Sequence, residues 1–494
     1  MKLNELLNKV KVVQVVGNAE LKEILNITID SRTAGKNSIF FAIEGFKTDG
    51  HKFVQDAINQ GADAVVVVVQ NVNIVPDQIF VHAGCVKIVV EDTRKSLAEF
   101  SNIFYGEPSK KLKLIGITGT KGKSTTAFYV KNIFENAGYK CGLIGTIANY
   151  IGDKEIKTTL TTPQSHELNE LLNEMVKEGC THCVMEVSSH ALRLNRVDYI
   201  SFASAIFTNI TSDHMDFHKT FEHYFASKKI LFDMVGESGT ISYNSDDENG
   251  SAIVKHSAAR KISYGLNKEA SVKINKVEFD LEGTKFELKW QGTNYKAETS
   301  LVGHFNALNA ASAFVAAVAE GISPENALEG IKTTPQVPGR FEVVGKKNKK
   351  VIVDYSHTSD SLKQVLIAIH HIVKKERKIY TVFGCGGDRD RTKRPIMGEI
   401  ASSMSEWVYV TSDNPRTEDP FLIIDEILKG IKANNYRLHE NRDEAIRAAI
   451  FESEDDAVIL IAGKGHENYQ EINGVRKHFS DKETAEKYIG KWEN

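Results

Sequence analysis

A chain of 494 residues is too long for a small binding module and, at roughly 150 residues per domain, divides into about three domains. Its 62 Lys and Arg against 65 Asp and Glu leave a formal charge of −3. That excludes the global cationic field of a dedicated nucleic-acid or anionic-membrane binder, so charge recognition has to be local. Apolar residues at 41% and charged ones at 26% describe an ordinary soluble globular chain.

At the start, Lys2, Glu5, Lys9 and Lys11 interrupt any apolar stretch before it reaches signal-peptide form. The longest apolar run, 64–69, is far too short to span a bilayer, so no membrane insertion is expected. Five cysteines scattered over this length suit a reducing cytoplasm rather than a disulfide framework. Cys180-Thr-His-Cys183 has metal-ligand spacing but no second pair, and it leads into an apolar strand pattern. Buried thiols are the expectation there, with a metal or redox role the competing reading.

To about residue 108 the pattern is mixed α/β: ITID and SIFFAI read as short strands, and HKFVQDAINQG as a helix leading into the buried strand ADAVVVVV. From Lys113 the strand LIGITGT runs into a Gly-rich loop, and STTAFYVKNIFENAG has helical periodicity closed by Gly138. CGLIGTI, HCVMEVSS and ASAIFTNI alternate with helices such as SHELNELLNEMVKEG, which predicts βα units on a mainly parallel sheet. Residues 272–300 alternate polar and apolar between turn residues, as inserted antiparallel hairpins do, and the helix NALNAASAFVAAVAEG follows. TTPQVPGRF has linker composition. After it VIVDYS, KIYTVFG, WVYVTS and AVILIAG alternate with helices, a second, Rossmann-like α/β unit. The expectation is three domains, 1–108, 109–336 and 337–494, with a central P-loop parallel sheet.

Gly116-Ile-Thr-Gly119-Thr-Lys-Gly122-Lys123-Ser124-Thr125 follows a strand and opens a helix. There glycines admit phosphate oxygens to backbone N–H groups, the helix dipole favours the anion, Lys123 supplies a point charge and Ser124 a hydroxyl for Mg²⁺. The spacing departs from the common P-loop, and a plain Gly-rich turn is the competing reading. Glu186 and His214, each at a strand end, are candidate Mg²⁺ ligands, or hydrogen-bonded loop residues.

The form GTxGK[ST]T resembles the Mur ligases, ATP-dependent amide-forming enzymes of peptidoglycan precursor synthesis. TTP at 161–163, EVSSH at 186–190, TNITSDHMDFH at 208–218, SKKILF at 227–232, GHFNALNAASA from Gly303, PGRFE at 338–342 and DYSHTSDSL from Asp354 stand in the family's order, so the resemblance covers essentially the whole chain. It implies that ATP phosphorylates a carboxylate to an acyl phosphate, which an amine then attacks. The ATP contacts it implies are Gly119, Thr120, Lys121, Gly122, Lys123, Ser124, Thr125, Asn306, Asn309, Arg340, Asp354 and His357. It also implies catalytic roles for Lys123, Glu186, His214 and Lys228, with Lys228 carrying a CO₂-derived carbamate that helps hold Mg²⁺ with Ser124, Glu186 and His214. Without the resemblance, Lys228 reads as an unmodified surface lysine. Ser356 stands where the family usually has Ala, and Ser359 where Pro is usual.

The first 110 residues, with Asp30-Ser31-Arg32 and Gly45-Phe-Lys-Thr-Asp-Gly50, resemble the uridine-nucleotide domain of the branch that adds the third peptide residue. In that likeness Ile29, Ser31, Phe46, Lys47 and Thr48 contact the UDP-sugar, and Thr161, Thr162, Ser188, Leu194 and Arg196 line the path of its dipeptide. In the last third, GCGGDRDR carries Arg389, DNPR is Asp413, Asn414, Pro415 and Arg416, and GKGHE carries Gly463 and Glu467. Three loops at strand carboxyl ends are expected to share one crevice. Arginine forks suit carboxylates, and Glu467 with Asp413 suits an ammonium. The DNPR pattern resembles ligases that add meso-2,6-diaminopimelate. L-lysine, lanthionine or another diamine are alternatives, as are a domain salt bridge for Arg416 and a non-catalytic nucleotide-sensing protein. A cytoplasmic monomer acting on small molecules, without nucleic acid, is expected.

Overall fold

The computed structural model describes residues 1–46, 48–345, 347–374 and 376–493. Two compact units make up the chain: Met1–Lys273 with Ala311–Gly330, and Ile274–Ala310 with Ile331–Asn494.

The first unit opens with a five-stranded sheet in the order Gln14–Val16, Val86–Val90, Ala64–Val68, Ser38–Phe41, Asn26–Thr28. Only Gln14–Val16 runs antiparallel; the others are parallel, and Ser38–Phe41, Ala64–Val68 and Val86–Val90 are buried along almost their whole length, because both faces are covered. The helix Thr93–Phe104 starts where Asp92 accepts from the N–H groups of Arg94 and Lys95, which puts Arg94 in its first turn.

The central sheet of this unit places Lys113–Thr118 between His182–Glu186 and Phe202–Phe207, all parallel, with Glu186 level with Ile117. Three chain ends therefore meet at one edge: the Gly-rich loop, Glu186 and Thr208. Cys141–Ile144 extends the sheet on one side, Val235–Asn244 and Arg260–Gly265 on the other. Leu114, Leu172, Phe207 and Leu231 are among the side chains packed beneath it. Cys180 and Cys183 are buried free thiols, as their strand context predicts.

In the second unit six strands take the order Glu342–Val344, Lys350–Asp354, Val458–Ala462, Ile379–Phe383, Trp407–Val410, Tyr436–Leu438, parallel except for the first. The expected hairpin is present as Thr284–Trp290 against Thr293–Thr299. By contact, residues 274–310 group with this unit. The reason is apolar. Phe279, Leu281, Val302 and Phe305 pack into the core of Phe341, Leu362 and Leu366, and the Phe279 ring stacks on His371 at 4.8 Å. Among the described residues no helix is long and apolar enough to cross a membrane.

Candidate active site

The Gly-rich loop is built against Thr208 and Asn209 at the end of the neighbouring strand. The Asn209 carbonyl accepts from Thr120 N–H, its side-chain oxygen from Lys121 N–H, both at 2.9 Å, and Thr208 Oγ1 donates to the Lys121 carbonyl at 2.6 Å. A Cβ on Gly119 would collide with Thr208 Oγ1, so the loop lies closer to the strand than any side chain allows. Gly122 is left-handed, and the helix Lys123–Asn136 begins after it, with Ser124 and Thr125 buried in its first turn. Lys123 Nζ donates to the carbonyls of Gly119 at 2.9 Å and Thr120 at 3.1 Å.

Lys228, on the helix Phe221–Asp233, is only 2% exposed, while its neighbour Lys229 pairs at the surface with Asp233. Lys228 is thus not the surface lysine that local sequence alone suggests. Its Nζ donates to the Gly119 carbonyl at 2.8 Å and lies 4.6 Å from the Tyr224 ring centre, and Tyr224 Oη is 3.0 Å from Thr120 Oγ1. Burial, and next the charge of Lys123, hold the Lys228 amine well below the ordinary lysine range. A neutral amine is the form that adds CO₂.

Glu186 is buried and receives both donors of one residue: Thr146 N–H reaches Oε1 at 2.9 Å and Thr146 Oγ1 reaches Oε2 at 3.0 Å. A Cβ on Gly145 would stand 2.5 Å from Oε1, so that glycine makes room for the carboxylate. His214 is left-handed at φ 55° and sits 3.6 Å from the Asp213 carboxylate. Burial lowers its pKa, against the pull of Asp213. Among the described residues no three His, Cys, Asp or Glu side chains form a metal cluster. The candidate donors Ser124, Glu186 and His214 are hydroxyl, carboxylate and imidazole; Lys228 joins them as a ligand only once its amine carries a carboxylate, and that donor set fits Mg²⁺.

Ile29, Phe46, Thr48, Leu194 and Arg196 line one cavity of about 260 Å³, together with Arg94, Gln164 and Ser165, which sequence reasoning did not single out. Lys47 lies outside the described residues. Phe46 is 74% exposed and meets Phe217 edge-on at 5.6 Å. Ser31 opens a 3-10 turn and is buried, but does not line the cavity. Thr162 Oγ1 donates to the Glu186 carbonyl at 2.9 Å and accepts from Ser188 N–H at 3.1 Å, and Thr161 Oγ1 lies 3.0 Å from Thr146 Oγ1. Thr161 and Thr162 are therefore tied to Glu186, through Thr146 and through its carbonyl. Arg196 donates to the Thr162 carbonyl at 3.0 Å.

In the second unit three loops meet. Arg416 Nη1 donates to the Gly387 carbonyl at 2.7 Å, Asn414 Nδ2 to Glu467 Oε2 at 2.8 Å, and a Cβ on Gly463 would stand 2.6 Å from Asp413 Oδ2. Arg389 is exposed on the first loop and Pro415 buried on the second. Lys464, missed in the sequence although it lies inside GKGHE, is fully buried; its Nζ donates to Asn414 Oδ1 and Glu467 Oε2, each at 3.1 Å. Arg416 is further gripped by the hairpin Tyr469–Ile472 with Val475–His478, its N–H donating to the Glu471 carbonyl at 3.0 Å. In the same unit Asn306 and Asn309 are buried and joined at 3.1 Å, and the Arg340 guanidinium covers the Tyr355 ring at 4.8 Å. Burial raises the Asp354 carboxyl although Ser356 Oγ donates to it, and His357 Nδ1 is 2.9 Å from the Tyr355 carbonyl.

A Gly-rich loop at a helix start, a buried lysine whose amine is held below the ordinary range and a buried carboxylate at one sheet edge define an ATP-site architecture of the kind shared by the Mur ligases. Models described as the Mur ligase family catalytic domain, the Mur ligase middle domain and the Mur ligase glutamate ligase domain match residues 23–105, 117–317 and 339–465. The chain belongs to the Mur ligase family. It is 44% identical, over 99% of both chains, to UDP-N-acetylmuramoyl-L-alanyl-D-glutamate--2,6-diaminopimelate ligase 1 of Clostridium acetobutylicum, and 41% identical, over 98% of both, to the ligase of the same name from Bacteroides thetaiotaomicron. A solved structure bearing that ligase name superposes with TM-score 0.69 at 29% identity, covering 100% of this chain and 99% of that one. A MurF ligase of Thermotoga maritima in complex with ADP shares the fold, with TM-score 0.64 at 18% identity over 94% of this chain and 98% of its own.

Proposed function

We propose that the chain is an ATP-dependent ligase that joins meso-2,6-diaminopimelate to UDP-N-acetylmuramoyl-L-alanyl-D-glutamate in peptidoglycan precursor synthesis. The observation that carries this reading is full-length similarity to ligases of that name, in a chain whose Lys123 and buried Lys228 meet at one loop carbonyl. Functionally it divides into a nucleotide-sugar segment, 1–108, an ATP segment, 109–336, and an amino-acid segment, 337–494.

A carboxylate is a poor electrophile, so it takes the γ-phosphoryl group of ATP to become an acyl phosphate; attack by the amine then releases phosphate. Both partners in the first step are anions. Lys123 screens their repulsion, and the N–H groups of 119–125 cradle the phosphates. Bound Mg²⁺ supplies further charge neutralisation there, with Ser124, Glu186, His214 and carbamylated Lys228 as its holders. Once deprotonated, the Lys228 amine adds to CO₂, forming an N–C bond and losing one further proton. Asn306, Asn309, Arg340, Asp354 and His357 serve the nucleotide, and Ile29, Ser31, 46–48, Thr161, Thr162, Ser188, Leu194 and Arg196 the UDP-sugar dipeptide.

Arg389 and Arg416 read the distal carboxylate of the incoming amino acid, while Asp413 and Glu467 accept from its distal ammonium, with Asn414, Pro415 and Gly463 shaping the seat. L-lysine presents only a cation there and leaves Arg416 facing like charge. Phosphate release with ATP, Mg²⁺ and the UDP-sugar dipeptide tests the reading, comparing meso-diaminopimelate, L-lysine, L-ornithine and lanthionine. Turnover confined to meso-diaminopimelate is expected. A preference for L-lysine overturns the amino-acid assignment, and no release with any amine overturns the ligase.

A further inference from the structure

Two guanidinium groups from different parts of the first unit face one cavity without an acid between them. Arg94 comes from the first turn of Thr93–Phe104 and Arg196 from the turn after Ser189–Arg193; both line the 260 Å³ cavity. Each is half-buried, and the charge of Arg94 acts on Arg196. Arg94 Nη2 donates to the Glu44 carbonyl at 2.6 Å and Arg196 Nη1 to the Thr162 carbonyl at 3.0 Å, so their settled bonds go to neutral oxygens. Among the described residues neither arginine makes an ion pair, and Arg196 Nε is buried with no hydrogen-bond partner. The acids whose charges reach the pair are Asp92 and Glu44 for Arg94 and Glu167 for Arg196; Asp92 accepts from the N–H groups of Arg94 and Lys95, Glu167 Oε2 from Gln164 N–H at 3.0 Å, and none of the three lines the cavity. Gln164 and Ser165 put the N-terminal end of the helix Ser165–Lys177 on the same cavity, a third positive feature.

Like charges half-removed from water repel, and an unpartnered buried donor costs the full desolvation of that group. Both costs are removed by one guest, an anion bridging the two side chains. We propose that Arg94 is a substrate-binding residue: with Arg196 it forms a two-arginine seat for one anionic group of the nucleotide-sugar substrate, a carboxylate of its peptide or a phosphate of its diphosphate. The inference rests on the ligase reading above and adds to it a substrate contact from the N-terminal segment.

The test is direct binding to the full chain, by titration calorimetry, of UDP-MurNAc-L-Ala-D-Glu, UDP-MurNAc-L-Ala and UDP-MurNAc, for the unmodified protein and for Arg94→Gln and Arg94→Lys. Loss of one charge-assisted bond predicts that Arg94→Gln weakens the dipeptide nucleotide by about tenfold or more, with Arg94→Lys in between and the ligand-free melting temperature unchanged. A loss confined to the D-Glu ligand identifies the anion as a carboxylate, and an equal loss for all three identifies it as phosphate; both support the seat. Unchanged affinity for all three in a folded Arg94→Gln or Arg94→Lys protein overturns it while leaving the ligase intact. An unmodified protein that binds none of the three overturns the ligase reading itself.

Discussion

Lys123 and Lys228 donate to the same oxygen, the carbonyl of Gly119, at 2.9 and 2.8 Å. Two ammonium groups on one neutral acceptor is an arrangement that electrostatics resists, and it is relieved if the more buried amine sheds its proton. Lys228→Arg keeps a cation but removes the amine that can add CO₂. It is expected to lower phosphate release by about a hundredfold or more, the scale of losing one preorganised charge-stabilising group. The same enzyme in CO₂-depleted buffer should slow and recover on adding bicarbonate, followed by phosphate release, while the Arg variant shows no bicarbonate response.

Gly119→Ala should abolish nucleotide binding without unfolding the sheet. The added methyl collides with Thr208 Oγ1, and the loop must lift away from Asn209, whose two oxygens hold Thr120 and Lys121. Equilibrium binding of a fluorescent ATP analogue measures the loss; a variant that binds normally would show that the loop tolerates displacement.

Lys464→Met removes a fully buried ammonium that ties Asn414 Oδ1 to Glu467 Oε2. Asn414 and Glu467 remain bonded to each other, so the loops stay close but lose their shared donor. The expected result is a rise of about tenfold in KM for the diamino acid, with KM for ATP and for the nucleotide sugar little changed. Equal rises in all three would mark a general packing defect instead.

His182 is enclosed by the Phe134 ring at 4.4 Å and the Tyr139 ring at 4.5 Å, and burial, with Lys113 second, pushes its pKa down to about 4. Above about pH 6.5 the ring is neutral in both states and costs nothing. Between 6.5 and 4 the unfolded chain takes up a proton that the folded chain refuses, so stability falls as pH falls, by about 3 kcal/mol across the window. His190 and His218, each also lowered to about 4 chiefly by burial, act in the same direction. Denaturant unfolding at pH 7 and pH 4.5 should show a smaller acid loss for His182→Phe than for the unmodified chain. Equal losses would place the acid sensitivity elsewhere.

The α/β alternation, the phosphate loop and the DNPR and GKGHE loops were legible because strand, glycine and helix follow one another within a dozen residues. Thr146 was not. It holds Glu186 with two bonds across 40 positions of sequence, and its only local mark is a place just past the strand Cys141–Ile144. Lys464 escaped because a buried ammonium looks, in sequence, like any loop lysine; its partner Asn414 lies 50 positions earlier. The strands Val235–Asn244 and Arg260–Gly265 carry too many polar and glycine residues to read as apolar runs, and they form because parallel neighbours supply their hydrogen bonds.

All five cysteines are free and buried, and burial pushes the thiols of Cys85 and Cys385 up to about 12 and that of Cys141 higher still. To a thiol-directed dye at neutral pH the folded chain is close to cysteine-free. A single cysteine introduced on an exposed helix position can therefore be labelled selectively in the otherwise native sequence, and a pair of such labels, one in each compact unit, would report distance changes during turnover without first stripping the protein of its own thiols.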